Sequence, residues 1–413
     1  MDKSLNINTG NAYMLNERSE IFSGYDSVNL NAGDVLISRK VYDKLTGMGV
    51  SINCGKMNII DIVGDVTELA DNAVITSSAL YSGCYLACFG NLIIEDAAGL
   101  EGITGLYAKS IFHAESVDIS HVRGITASER IVYPDGAKLQ IGDMTLGGDS
   151  HSLPEGGALN WVHGTISALD EGALEKLRLN KNTFHCKRLI IYTGLYEKYR
   201  DMIQADSFLF IPDGYAVAGD VTLDAATSLK YGDKLFVLGD FLAPIDQTRY
   251  LKDFTSIIIH GTATLPVSAI SDFRALGKAE NYDVYEGVLL TLNGFQTIGH
   301  EQLQSAIERG ISYTIHVNGA LYFFDDVTAQ DMDAVAAVYC NGMISAPDRA
   351  RAGLDIKVRS LNGTILDIDA MIKKLYGDDF SFGSDPISFI KGVAAQIQGG
   401  SAGSGFNTGM FKM

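Results

Sequence analysis

The sequence predicts an α/β solenoid: parallel β-strand coils of about 20–25 residues, with short helices between the strands. Three observations predict it. A short pattern recurs in which alternating apolar residues lead into a glycine and apolar residues follow two and often four positions on. Ala216-Val-Ala-Gly219-Asp-Val221-Thr-Leu223 and Cys88-Phe-Gly90-Asn-Leu92-Ile-Ile94 are examples. These marker glycines are evenly spaced. Gly219 and Gly239 lie 20 apart, Gly239 and Gly261 22, Gly294 and Gly319 25, Gly319 and Gly342 23, and Gly342 and Gly363 21. Longer runs are also duplicated. Pro134-Asp135-Gly136 followed by Gly142-Asp143-Met144-Thr145-Leu146 matches Pro212-Asp213-Gly214 followed by Gly219-Asp220-Val221-Thr222-Leu223, and His163-Gly164-Thr165 matches His260-Gly261-Thr262. Alternation on both sides of the glycine marks two short strand segments meeting at a bend, where glycine adopts a backbone that other residues resist.

Taken in order, residues 1–24 are polar and read as an N-terminal arm or cap. Residues 25–375 form the repeat solenoid. Its first part, 25–150, has little helical periodicity and is more β-helix-like. The 35 residues from Gly55 to Gly90 make those coils degenerate or inserted. Residues 151–375 read as strand–helix coils. Asp170 precedes Leu174 and Leu177, and Pro244-Ile245-Asp246 leads into Tyr250, Leu251 and Phe254. Leu303 and Ile307 share a helix face that Gly310 ends, and Thr328 with Asp331 starts a helix carrying Met332, Val335 and Ala336 on one face. Residues 376–398 are a helical cap opened by Ser384-Asp385-Pro386, with Ile387, Ile390, Val393, Ala394 and Ile397 as its stripe. Residues 399–413 are a tail, flexible by its Gly/Ser composition, and Phe406, Met410 and Phe411 make it a candidate assembly element.

In the last four coils Asn precedes the marker glycine: Asn293-Gly294, Asn318-Gly319, Asn341-Gly342 and Asn362-Gly363. Two readings are open. One is a stacked ladder whose amides bond from coil to coil and satisfy buried bend groups; the other is a simple left-handed turn preference. The ladder is preferred, because the pairs recur at coil period.

In general terms the coils resemble leucine-rich-repeat or β-helix proteins, although a leucine-rich consensus is absent. The Gly64-Asp65-Val66-Thr67 and Gly219-Asp220-Val221-Thr222 runs are similar, over a few residues, to those of bacterial β-helical cytoskeletal polymers.

Composition narrows the function. Hydrophobic residues are 46% of the 413 and charged residues 20%, enough apolar material for a large core. The net charge of −18 argues against nucleic acid as a partner. The densest basic stretch, Lys176, Arg178, Lys181, Lys187 and Arg188, is broken by apolar residues and reads as an exposed coil face. Five cysteines, Cys54, Cys84, Cys88, Cys186 and Cys340, read as buried free thiols. With no secretory leader and no apolar run of membrane length, a cytoplasmic location and no membrane partner are expected.

No phosphate loop, nucleophile elbow, zinc signature or dinucleotide fingerprint occurs, so no cofactor, metal or catalytic residue is assigned. His163 and His260 both precede marker glycines and read as ladder positions; His185 and Cys186 should point to opposite faces. Asp143, Asp220 and Asp240, and the pairs Asp325-Asp326 and Asp378-Asp379, could form an acidic row. A solvated acidic edge explains them better. The expected function is a non-catalytic structural or protein-interaction scaffold with protein partners or self-association. The alternative is a carbohydrate-active β-helix enzyme, a lyase or hydrolase, which would need acidic side chains converging in one groove with a basic partner.

Overall fold

The computed structural model describes residues 4–16, 22–78, 81–147, 156–367 and, for the backbone alone, 404–412. Two compact units result, Met1–Asp213 with Ala402–Met413, and Gly214–Ser401. The expected cap at 376–398 lies outside the described residues.

The first unit contains three sheets. One holds β1 (Ser4–Met14), β2 (Ser27–Ser38) and β3 (Ser51–Ile60). The next holds β4 (Asp65–Leu69), β5 (Ala73–Ile75), β6 (Cys84–Ile94), β7 (Gly105–Ala114) and β8 (Ile125–Tyr133). The third holds β9 (Lys138–Ile141), β10 (Met144–Thr145), β11 (Leu159–Ala168), β12 (Thr183–Tyr192) and β13 (Ile203–Ile211). The second unit contains two. One holds β14 (Ala216–Ala218), β15 (Val221–Thr222), β16 (Lys234–Val237), β17 (Phe241–Leu242), β18 (Ser256–Pro266) and β19 (Gly277–Tyr285). The other holds β20 (Val288–Ile298), β21 (Tyr313–Phe323), β22 (Val335–Ser345) and β23 (Val358–Leu366). A last strand, β24 (Ser404–Lys412), joins the first sheet beside β1. Seven short helices are described: α1 (Arg39–Gly47), α2 (Glu171–Leu179), α3 (Thr193–Tyr199), α4 (Thr227–Tyr231), α5 (Ile270–Leu276), α6 (His300–Glu308) and α7 (Asp348–Lys357).

Every strand pairing among the described residues is parallel. Apart from the pairing of β1 with β24, paired residues lie 19 (Leu106↔Ile125) to 25 (Asn293↔Asn318) positions apart in sequence. The marker glycines Gly294, Gly319, Gly342 and Gly363 stand directly opposite one another.

Alternation fixes the core. On β2, Val28, Leu30, Val35 and Ile37 are buried, and on β1 Leu5, Ile7, Ala12 and Met14. They pack with Val41 and Leu45 of α1. Burying each such aliphatic side chain is worth about 1.5–3 kcal/mol. Side chains cap the first two helices. The Ser38 hydroxyl accepts the Val41 N–H at 3.3 Å, and the Asp170 carboxylate accepts that of Ala173 at 3.1 Å, starting α2 with Leu174 and Leu177 inward.

The structure departs from the sequence reading at several elements. Residues 4–14 are a full strand, with Gly10 between residue pairs that align β1 to β2. The long Gly55–Gly90 gap contains a coil, β4 and β5, whose marker position carries Asp71-Asn72, with Asn72 at φ +62°. Thr328 and Asp331 begin only a single 3-10 turn (Asp331–Ala334), and Val335 already starts β22. In α6 the inward pair is Leu303 and Ala306, while Ile307 is exposed. Residues 244–254 form a 3-10 turn over Thr248–Asp253.

Candidate functional site

The Asn–Gly columns come first. Asn318 Nδ2 donates to Asn293 Oδ1 at 3.3 Å, and Asn362 Nδ2 to Asn341 Oδ1 at 2.9 Å. Asn341 stands opposite Asn318. All four side chains are on exposed positions, so the amides do not satisfy buried bend groups. Their effect is on register, at about 0.2–1 kcal/mol per cross-strand pair. Beneath them, a Cβ at Gly319, Gly342 or Gly363 would collide with the carbonyl oxygen of the glycine one coil earlier. Close approach of backbones, together with φ of +142° at Gly342, demands glycine there.

A second ladder was not legible in the marker pattern. Asn29 Nδ2 donates to Asn6 Oδ1 (2.9 Å), Asn31 to Asn8 (2.8 Å) and Asn53 to Asn31 (3.0 Å). It runs over β1, β2 and β3. The backbone of β24 continues this sheet: Phe406 pairs with Ile7, Asn407 with Asn8, Thr408 with Thr9, Met410 with Asn11 and Phe411 with Ala12.

The aspartates that follow marker glycines hold coils together. Asp143 Oδ1 accepts the Thr165 N–H (2.7 Å), Asp220 that of Asp240 (2.9 Å) and Asp240 that of Thr262 (2.8 Å). The two Pro-Asp-Gly aspartates reach back instead: Asp135 takes the Ser116 N–H and Asp213 that of Gly194. Asp326 takes the His300 N–H, and Asp378-Asp379 lie outside the described residues. These described carboxylates are engaged with backbone donors.

One charged cluster escaped the sequence. Lys187 Nζ on β12 bonds Glu129 Oε1 on β8 at 2.8 Å, and His163 Nε2 on β11 lies 3.5 Å from Glu129 Oε2. His185 Nε2 lies 3.6 Å from Asp206 Oδ1 on β13. These residues line a shallow hollow of about 240 Å³. The Lys187 hydrogen bond holds Glu129 below the usual carboxylate range. Burial, then the Lys187 charge, lowers the His163 imidazole. The only tryptophan, Trp161, stacks on His185 with centroids 3.8 Å apart and stands opposite Leu139 on its other neighbour, β9. Both of its neighbours along the ladder are therefore occupied positions.

No family model, curated protein or solved structure matches this chain.

Among the described residues no group of three or more His, Cys, Asp or Glu is placed to hold a metal, and no helix is long and apolar enough to cross a membrane. No disulfide joins any of the five cysteines. Cys88, Cys186 and Cys340 are buried, and burial pushes the Cys186 thiol up to about 11. His185 is half-buried and Cys186 buried, on opposite faces of β12. His260 Nδ1 lies 2.5 Å from Glu280 Oε1.

A buried clamp ties α6 to the turn after β21. The Asp331 side chain is 0% exposed and accepts hydrogen bonds from Gln304 Nε2 (2.6 Å) and the Thr328 N–H (2.7 Å), with His300 Nδ1 at 3.0 Å. Burial alone would raise its carboxyl, but the bonds from His300, Gln304 and Thr328 outweigh it and bring it down to about 2. The Asp331 hydrogen bond raises His300.

Proposed function

We propose that each unit is a stretch of solenoid and that the chain is a non-catalytic scaffold working through protein partners or self-association. One observation carries this reading: a strand from the C-terminal end adds to the edge of the first sheet in register. Strand addition at a sheet edge is a standard way for polypeptides to recognise one another, because backbone hydrogen bonds supply the contact. The stacked parallel coils and their Asn, Gly and Asp columns support the solenoid half of the reading. Light scattering on the purified full chain tests the functional half. Defined oligomers or filaments are expected. A protomer mass at every concentration, with no protein partner retained by the pure chain from an extract, overturns it.

The second reading is a carbohydrate-active lyase or hydrolase, favoured by Glu129, Lys187 and His163 converging on one hollow. Its mark would be cleavage of a polysaccharide from a panel, abolished by Glu129→Gln. Unchanged cleavage, or none, removes it.

A further inference from the structure

We propose that β24 is a donated strand: it pairs with the β1 edge of a second copy of this chain and joins copies head to tail. The proposal rests on the scaffold reading and names its partner.

The order of strands is the first argument. In the first sheet, β1, β2 and β3 follow one another as the chain does, and β24 takes the place before β1. The end of a chain thus stands where a preceding coil would be. A second chain running into this one would give the same order.

The sequence of β24 fits that place. Asn-Thr-Gly occurs at residues 8–10 and again at 407–409. Register brings the two runs together, with Asn8 opposite Asn407 and Thr9 opposite Thr408. The same column continues through Asn31 and Gly33 on β2 and Asn53 and Gly55 on β3. The tail therefore carries the signature of the coils it joins.

The edge it covers needs a cover. β1 is eleven residues long and has neither a charged residue nor a proline. Those are the residues natural edge strands use to prevent pairing with another chain. Uncovered, β1 would present a row of free backbone donors and acceptors.

Reach allows exchange between copies. Between residues 366 and 404 lie 37 residues. Fully extended, such a length spans roughly 120 Å at about 3.3–3.6 Å per residue. Within one copy β24 covers its own β1. On a second copy it makes the same hydrogen bonds, so concentration decides between the two, as in other exchanges of an identical element. A head-to-tail contact of this kind closes into a ring where the rotation between copies allows it and otherwise extends into a filament.

The test compares the full chain with a chain ending at residue 403, by light scattering over a concentration series. A peptide of residues 404–413 is added in excess in a second series. We expect the mass of the full chain to rise with concentration in protomer steps. The shortened chain should stay at protomer mass, and the peptide should return the full chain to it. Mixing the two chains should give short, terminated oligomers, because the shortened chain accepts a strand and donates none. Separately, Asn407→Pro and Thr408→Pro should differ, since adjacent residues of a strand point their N–H groups to opposite sides. Only the variant that loses a donor toward β1 should block growth.

Two results overturn the proposal. If the full chain stays at protomer mass while hydrogen exchange at β1 quickens on shortening, β24 covers only its own chain. If oligomers form equally well without residues 404–413, assembly uses another surface. The latter leaves the scaffold reading standing, and the former leaves it to a separate protein partner.

Discussion

The sheet of β1–β3 and the sheet of β20–β23 turn the same corner by different means. In β2 the residues that pack with α1 are Val28 and Leu30 before Gly33, then Val35 and Ile37 after it. The inward set shifts from even to odd positions across the glycine, and Gly33 keeps a negative φ. In β21 the residues of the main hydrophobic cluster are Ile315 and Val317, then Leu321 and Phe323. Here the inward set keeps its parity, and Gly319 takes φ of +131°. The Asn ladders follow suit. In the first sheet Asn lies two residues before the glycine; in the last it lies immediately before. Each places the amide outward, because the two corners set the alternation differently. One residue type thus serves two geometries, and only one of them requires a left-handed backbone.

The largest test of this contrast is Gly342→Ala against Gly33→Ala. At Gly342 the new Cβ meets the Gly319 carbonyl and the backbone is left-handed, so a loss of about 3–5 kcal/mol is expected. At Gly33 the Cβ would stand 2.7 Å from the Gly10 carbonyl oxygen on an ordinary backbone, and about 1–3 kcal/mol is expected. Urea unfolding of both variants measures the difference; equal losses would mean that close approach alone sets the cost.

The second test uses the clamp beside the last sheet. Asp331→Asn should cost about 2–4 kcal/mol, since it removes a buried charge that a set of donors surrounds. The pH dependence has a definite sign. Asp331, depressed to about 2, contributes stability above its ordinary value of about 4 and loses it as pH falls toward 2. His300, raised, contributes below its ordinary value of about 6.5 and loses that contribution as pH climbs through its raised value. The clamp is therefore complete between about pH 4 and 6.5. Hydrogen exchange should show β21 and β22 loosening on either side of that window, and Asp331→Asn should flatten the profile.

The smallest effect separates the ladders. Asn31 sits mid-ladder, with amide bonds to Asn8 and Asn53, so Asn31→Ala should cost about 0.5–1.5 kcal/mol. Asn362 bonds Asn341 at the ladder's end, and Asn362→Ala should cost about 0.2–1 kcal/mol. Thermal unfolding of the two variants compares them; a larger loss at Asn362 would show that the ladder of the last sheet works differently.

The spacing was legible at Gly239, Gly261, Gly319, Gly342 and Gly363 because a Cβ there would collide with atoms 19 to 25 residues earlier in the chain. It was harder to see at the N-terminus. Gly10, Gly33 and Gly55 keep the spacing, but Asn6, Asn8, Asn29 and Asn31 make those strands look polar, although their partners Leu5, Ile7, Val28 and Leu30 are buried. The coil of β4 and β5 was hidden because Asn72 supplies the left-handed position that glycine fills elsewhere. The Glu129–Lys187 pair joins residues 58 apart on strands of different sheets, and no local pattern announces such a meeting. Asp331 was visible as a capping residue with Thr328. Its burial was not, because that depends on His300 and Gln304 arriving from the preceding coil.

The stacking of marker glycines has a consequence for change by insertion and loss. In the last sheet the glycine-to-glycine spacing varies from 21 to 25 residues, yet the glycines stand opposite one another. Length is therefore free everywhere except at one fixed phase. A segment running from one marker to the next is a modular unit, which duplication can copy or deletion can remove without disturbing the alignment of what remains. Growth of the molecule over evolutionary time needs only that each new module arrive with its glycine in phase.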